Sequence, residues 1–112
     1  MTASPILSSV WDAGNRIAPT ESMQKRLHVL FSGTVQGIGF RFTTERMARR
    51  YPVTGYVHNL PKGQVEVLAE GEEKSLEEFL KAIQEAFQSY IQNVDVRWGK
   101  ATREFKAFGI RF

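Results

Sequence analysis

The sequence predicts an α+β domain of the ferredoxin-like kind: a β-α-β-β-α-β sandwich with two helices on one face of an antiparallel sheet and one extra C-terminal strand. Three observations predict it. Strand-like and helix-like apolar patterns alternate along the chain in that order. The 112 residues suffice for one core, whereas a second domain would leave each half short of one. A composition of 42% hydrophobic and 24% charged residues is that of a chain that folds by burying a core.

Residues 1–25 read as a flexible N-terminal extension to a domain over residues 26–112. Ser, Thr, Pro, Ala and Asn dominate there, and Ile6, Leu7, Val10, Trp11 and Ile17 follow no sustained period. Met23 offers an alternative natural start, which would leave a 90-residue protein. In a second alternative, the apolar residues of the extension dock on the domain or on a partner.

Residues 26–32, RLHVLFS, are β-branched and aromatic enough for a buried strand. The following GTVQGIG holds too much glycine for a regular element and reads as a loop. Phe40, Thr44, Met47, Ala48 and Tyr51 then fall at helical spacing, and Pro52 ends that helix. Two strand-like runs, residues 53–60 and 64–70, flank Pro61-Lys62-Gly63, a short glycine-containing connection that predicts an antiparallel hairpin. Ser75 with Glu78 three residues on forms a capping box. Behind it Leu76, Phe79, Leu80, Ile83, Phe87, Tyr90 and Ile91 make one helical stripe. Val94, Val96 and Trp98, and then Phe108, Ile110 and Phe112, alternate with polar or small residues as half-buried strands do.

With no cysteine, disulfides, thiolate metal sites and a cysteine nucleophile are excluded. No run approaches the roughly 18–20 apolar residues of a membrane-spanning helix, and the N-terminus lacks the layout of a secretory signal, so a cytoplasmic protein without a membrane partner is expected. The net charge of +3 is unevenly spread. Arg41, Arg46, Arg49 and Arg50 cluster against Glu45 alone, whereas residues 70–85 carry six glutamates against Lys74 and Lys81, a contrast that reads as two solvated helix faces. His28 and His58 sit in predicted strands without ligand-spaced partners, so no metal and no other cofactor is expected.

Chemistry concentrates between the first strand and the first helix. In Gly33-Thr34-Val35-Gln36-Gly37-Ile38-Gly39-Phe40-Arg41 the glycines allow successive amides to turn inward, and such a nest beside a helix N-terminus binds anions. Arg41 in the first turn opposes the helix dipole, which makes sense when an anion sits in front of it. From the residues alone, a glycine-rich turn followed by an exposed arginine remains the alternative. Phe42 replaces the third glycine of a dinucleotide fingerprint and no Lys-Ser/Thr follows, so the anion expected is small.

FSGTVQGIGFR (residues 31–41) resembles the first signature of the acylphosphatase family, and GYVHNLPKGQVEVLAEG (residues 55–71) resembles its second. Ile38, His58 and Lys62 are mild departures. The resemblance covers residues 26–112. It implies a metal-independent hydrolase that cleaves a small acyl phosphate to a carboxylate and inorganic phosphate, the latter also acting as inhibitor. It carries the phosphate-binding arginine over to Arg41 and the water-orienting asparagine to Asn59. The backbone of Gln36, Gly37, Ile38, Gly39, Phe40 and Arg41 would then hold the phosphoryl oxygens. The chain is read as a monomer. Without the resemblance, Asn59 is a residue closing a strand before a turn. Two rival readings stand beside this one: a non-catalytic phosphate-binding or regulatory domain, and an RNA-binding ferredoxin-like module. The pI of about 9.5 favours the second rival, while the absence of aromatics from QVEVLAE argues against it, so no nucleic-acid partner is expected.

Overall fold

The computed structural model describes residues 24–112. In chain order the elements are β1 (Gln24–Gly33), α1 (Phe40–Ala48), β2 (Thr54–Asn59), β3 (Val65–Glu72), α2 (Glu73–Ala86), β4 (Ile91–Lys100) and β5 (Phe108–Arg111). The expected extension lies outside the described residues, as does Met23; Gln24 and Lys25 already belong to β1.

The strands form one sheet in the order β4-β1-β3-β2-β5. The first four pair antiparallel, with Leu27 opposite Ala69 and Trp98, and Val57 opposite Val67. β5 instead runs parallel to β2, pairing Val57 with Ile110, so the sheet is mixed and not antiparallel throughout. The reason is topological: β4 ends at one edge, and the chain must cross the sheet before it can add a strand at the other.

Period-two alternation sends Leu27, Val29, Phe31, Val57, Val65, Val67 and Ala69 to the face covered by the helices. Leu76, Phe79 and Ile83 of α2 and Phe40 of α1 meet them there. Each Val, Leu, Ile or Phe among them, fully buried, contributes about 1.5–3 kcal/mol. Phe40 links the two helices to the sheet: its ring lies 5.2 Å from Phe31 and stacks at 4.3 Å on Phe87.

Three element boundaries differ from expectation. Ser75 is not an N-cap, because the chain passes from β3 into α2 without a loop and Glu72 takes the capping position in an extended conformation. The stripe predicted through Ile91 is cut after Ala86. Phe87 closes the helix, its carbonyl accepts from the amides of Tyr90 and Ile91, and the resulting turn frees Ile91 to open β4. α1 likewise stops at Ala48, and the turn after it ends with the Val53 amide donating to the Tyr51 carbonyl.

The acidic run does not form one solvated face. Glu45 and Arg49 do make an exposed i,i+4 pair on α1. Glu70, however, lies on the sheet face opposite the helices with its side chain 1% exposed. Its carboxylate accepts from Arg26 Nε (2.8 Å), the amides of Thr102 and Arg103 (both 2.8 Å) and Thr102 Oγ1 (3.2 Å). Burial alone would push the Glu70 pKa up. The donors, led by the Thr102 amide and Arg26, outweigh it and hold the carboxyl below its ordinary value. Glu70 thereby latches residues 101–107 as they cross the sheet. Phe105 of that segment packs edge-on against Tyr56 at 5.8 Å, and the Ala107 carbonyl accepts from the Gly55 amide before β5 begins.

Candidate active site

β1 hands the chain to α1 through residues 34–39, and the sequence shapes this loop at three points. Val35 is fully buried and pins one end, while the Phe40 ring pins the other. Gly37 and Gly39 take φ of +81° and +79°, the left-handed region where a Cβ is strained. Gln36 Nε2 donates to the carbonyls of Leu60 (2.7 Å) and Gln64 (2.8 Å), tying the loop to the β2–β3 turn.

Gly39 caps α1 without a side-chain hydrogen bond, and no acidic residue occupies the first turn. The first-turn amides lack partners within the helix. Together with the positive end of the helix dipole and Arg41, they form a cradle for an anion.

Asn59 ends β2, two strand positions from β1 because β3 lies between them. The loop after β1 crosses the end of β3, so that Arg41 and Asn59 line one hollow of about 170 Å³ with Val35, Gly37, Gly39, Phe40 and Phe42. Asn59 Oδ1 is buried and accepts no hydrogen bond among the described residues. A buried acceptor left unpaired costs roughly 1–3 kcal/mol. Asn59 thus borders the hollow with an amide whose acceptor no protein donor engages. The hollow can therefore hold a small anion at the helix terminus and orient a water beside it.

Of the loop residues expected to bind substrate, Gly37, Gly39, Phe40 and Arg41 line this hollow. Gln36 is engaged with the neighbouring turn, and Ile38 packs partly buried against the core. The histidines lie elsewhere. His28 Nε2 is 2.8 Å from Glu66 Oε2, and His58 Nδ1 is 3.0 Å from the Arg111 carbonyl. Sequence reasoning missed Val35, Phe42 and Phe112, whose ring stands 5.0 Å from the Arg41 guanidinium carbon. Only Phe42 carried a signal, since it falls off the apolar stripe of its helix. A larger hollow of about 680 Å³ beside Lys25, Glu72, Glu73, Lys74 and Glu77 sits at the opposite end of β1. Charges of both signs line it, and Lys25 and Glu73 are paired to each other there.

The family model for acylphosphatase matches residues 27–110. The chain belongs to the acylphosphatase family. An acylphosphatase of Salinibacter ruber is 40% identical over 89 residues, covering 79% of this chain and 94% of that one. Among solved structures, an acylphosphatase from Coxiella burnetii superposes with a TM-score of 0.74 at 30% identity, over 85% of this chain and all of that one. Full-length HypF in a phosphate- and nucleotide-bound form superposes with a TM-score of 0.73 at 32% identity, over 80% of this chain but 12% of that one. Acylphosphatase membership makes this chain an acid-anhydride hydrolase on a ferredoxin-like fold. Among the described residues no helix is long and apolar enough to cross a membrane.

Proposed function

We propose that the protein hydrolyses small acyl phosphates with Arg41 and the first-turn amides holding the phosphoryl oxygens and Asn59 aiming the water. An acyl phosphate is a mixed anhydride whose carboxylate departs readily, so neither a strong general acid nor a metal is required. Water oxygen bonds to phosphorus as the bond from phosphorus to the acyl oxygen breaks. The electron pair leaves with the carboxylate, and the water proton passes to a phosphoryl oxygen. Asparagine suits the task because a carboxylate there would repel the phosphate dianion, whereas an amide accepts from water without charge.

The observation that carries this reading is the meeting of Arg41 and Asn59 at one hollow, with Asn59 Oδ1 free of protein donors. The rival RNA-binding reading lacks a stacking platform, because the face of central strands β1 and β3 turned away from the helices carries Arg26, His28, Leu30, Glu66, Leu68 and Glu70, with no aromatic among them and Leu68 and Glu70 buried. In the proposed reading the protein acts as a monomer in the cytoplasm, with inorganic phosphate as product and inhibitor.

The test is initial-rate hydrolysis of an aryl acyl phosphate, with chelator present and phosphate as competitor. Arg41→Ala should abolish most turnover and weaken phosphate inhibition. Asn59→Ala should lower kcat about 100-fold or more while leaving phosphate inhibition nearly intact. Equal and small effects from the two changes would refute these roles, and a flat progress curve from folded wild type would leave a phosphate-binding module.

A further inference from the structure

Arg41 and the first-turn amides take the phosphoryl end of a substrate at one side of the hollow, so the acyl group is directed away from them, toward its mouth. Two aromatic rings wait there. Phe42 lines the hollow and is 55% exposed, and Phe112, 83% exposed, stands over the Arg41 guanidinium.

Core packing accounts for neither ring. The buried face of α1 is made by Phe40, Thr44 and Ala48, and Phe42 points off it. Phe112 follows β5 and lies outside the core cluster. Tyr90, Val96 and Trp98 are the other large apolar side chains exposed among the described residues. Of these five, Phe42 lines a hollow built for an anion and Phe112 stands against the arginine that lines it, where a rim selecting for charge alone would carry polar residues.

We propose that Phe42 and Phe112 form an acyl-binding rim, and that it selects acyl phosphates whose acyl group is apolar, aliphatic or aromatic, over those of acetyl size. This rests on the hydrolase reading above. The phosphoryl group anchors on Arg41 and the amides, and the acyl carbons shelter against the two rings. Phe112 serves twice, since its face also meets the Arg41 guanidinium and restricts where that group can swing.

The straight-chain series acetyl, butyryl and hexanoyl phosphate tests this. These substrates release carboxylates of nearly equal basicity, so differences in kcat/KM along the series report acyl contacts and not leaving-group chemistry. Wild type should favour hexanoyl over acetyl phosphate by about tenfold or more, on the scale that apolar contacts discriminate. The ratio should fall to within about twofold in the Phe42→Ala, Phe112→Ala double variant, and Phe112→Leu should retain most of it. Because the readout is a ratio within one variant, a general loss of activity cancels. A ratio near one in wild type, or one unchanged in the double variant, would overturn the rim while leaving the hydrolase intact. Failure of wild type to turn over any of the three, with Asn59→Ala equally inert, would overturn the hydrolase reading and the rim together.

Discussion

Replacing Glu70 by Gln should cost about 2–3 kcal/mol of stability at neutral pH, and that cost should vanish in acid. The carboxylate ends four hydrogen bonds, from Arg26 Nε, two backbone amides and the Thr102 hydroxyl. Bonds to a charged acceptor contribute roughly 1.5–3 kcal/mol each, about twice the neutral value. A glutamine can serve only one side of this set: with its oxygen toward Arg26 and the Thr102 amide its NH₂ opposes the Arg103 amide, and flipped it opposes Arg26 and the Thr102 amide instead. Arg26 is 26% exposed and regains water, which discounts the loss toward the lower end. In a domain of this size, 2–3 kcal/mol corresponds to about 10–20 °C in Tm. The sign with pH follows from the depressed native pKa. Above the ordinary value of 4.5 the full contribution is present, and it is lost as pH falls through 4.5 and then through the lower native value, where the folded carboxylate is protonated as well. Thermal and urea unfolding of both proteins, repeated from pH 7 down to pH 3, measures the gap. A difference below about 0.5 kcal/mol, the ordinary size of a surface effect, or one that stays constant with pH, would refute the latch.

Gly39→Ala should destabilise by about 1–2 kcal/mol through backbone strain alone, because its φ is +79° while open space surrounds the added Cβ. Urea titration gives that cost, and phosphate inhibition should weaken with it. Gln36→Ala removes both ties from the loop to the β2–β3 turn, so KM should rise several-fold with the melting temperature little changed. Thr44→Val should be neutral or stabilising by up to about 1 kcal/mol, since it exchanges a buried hydroxyl that accepts and donates no hydrogen bond among the described residues for a methyl of similar shape. Denaturant midpoints at pH 7 decide it.

Local signals in the sequence were sufficient where one element's pattern did not depend on another's position. The β-branched and aromatic run of residues 26–32 marked a buried strand, Pro61-Lys62-Gly63 marked the hairpin, and the glycines at 37 and 39 marked the loop. The signatures around Arg41 and Asn59 named two side chains that the fold brings to one hollow. What stayed hidden depends on tertiary context. Ser75 and Glu78 fit a capping box, but β3 runs straight into α2 and moves the helix start ahead of them. Glu70 looks like one more solvated acid until residues 101–107 bring donors across the sheet to it. The parallel pairing of β5 depends on that same crossing. Phe112 could be read as strand alternation, but its place over Arg41 depends on which edge β5 joins.

The separation of β1 from β2 by β3 also bears on how the molecule becomes competent during folding. Arg41 follows β1 and Asn59 ends β2, so neither can find the other until β3 has inserted between those strands, and the β1–β3 register joins residues as far apart as Gln24 and Glu72. Pairings of such sequence separation form late and slowly. A partly folded chain holding only the β2–β3 hairpin carries Asn59 without the cradle of Arg41 and the first-turn amides, and so has no site for the anion. Phosphate therefore lends that hairpin no support, and raises the melting temperature by mass action on the state in which the cradle is built.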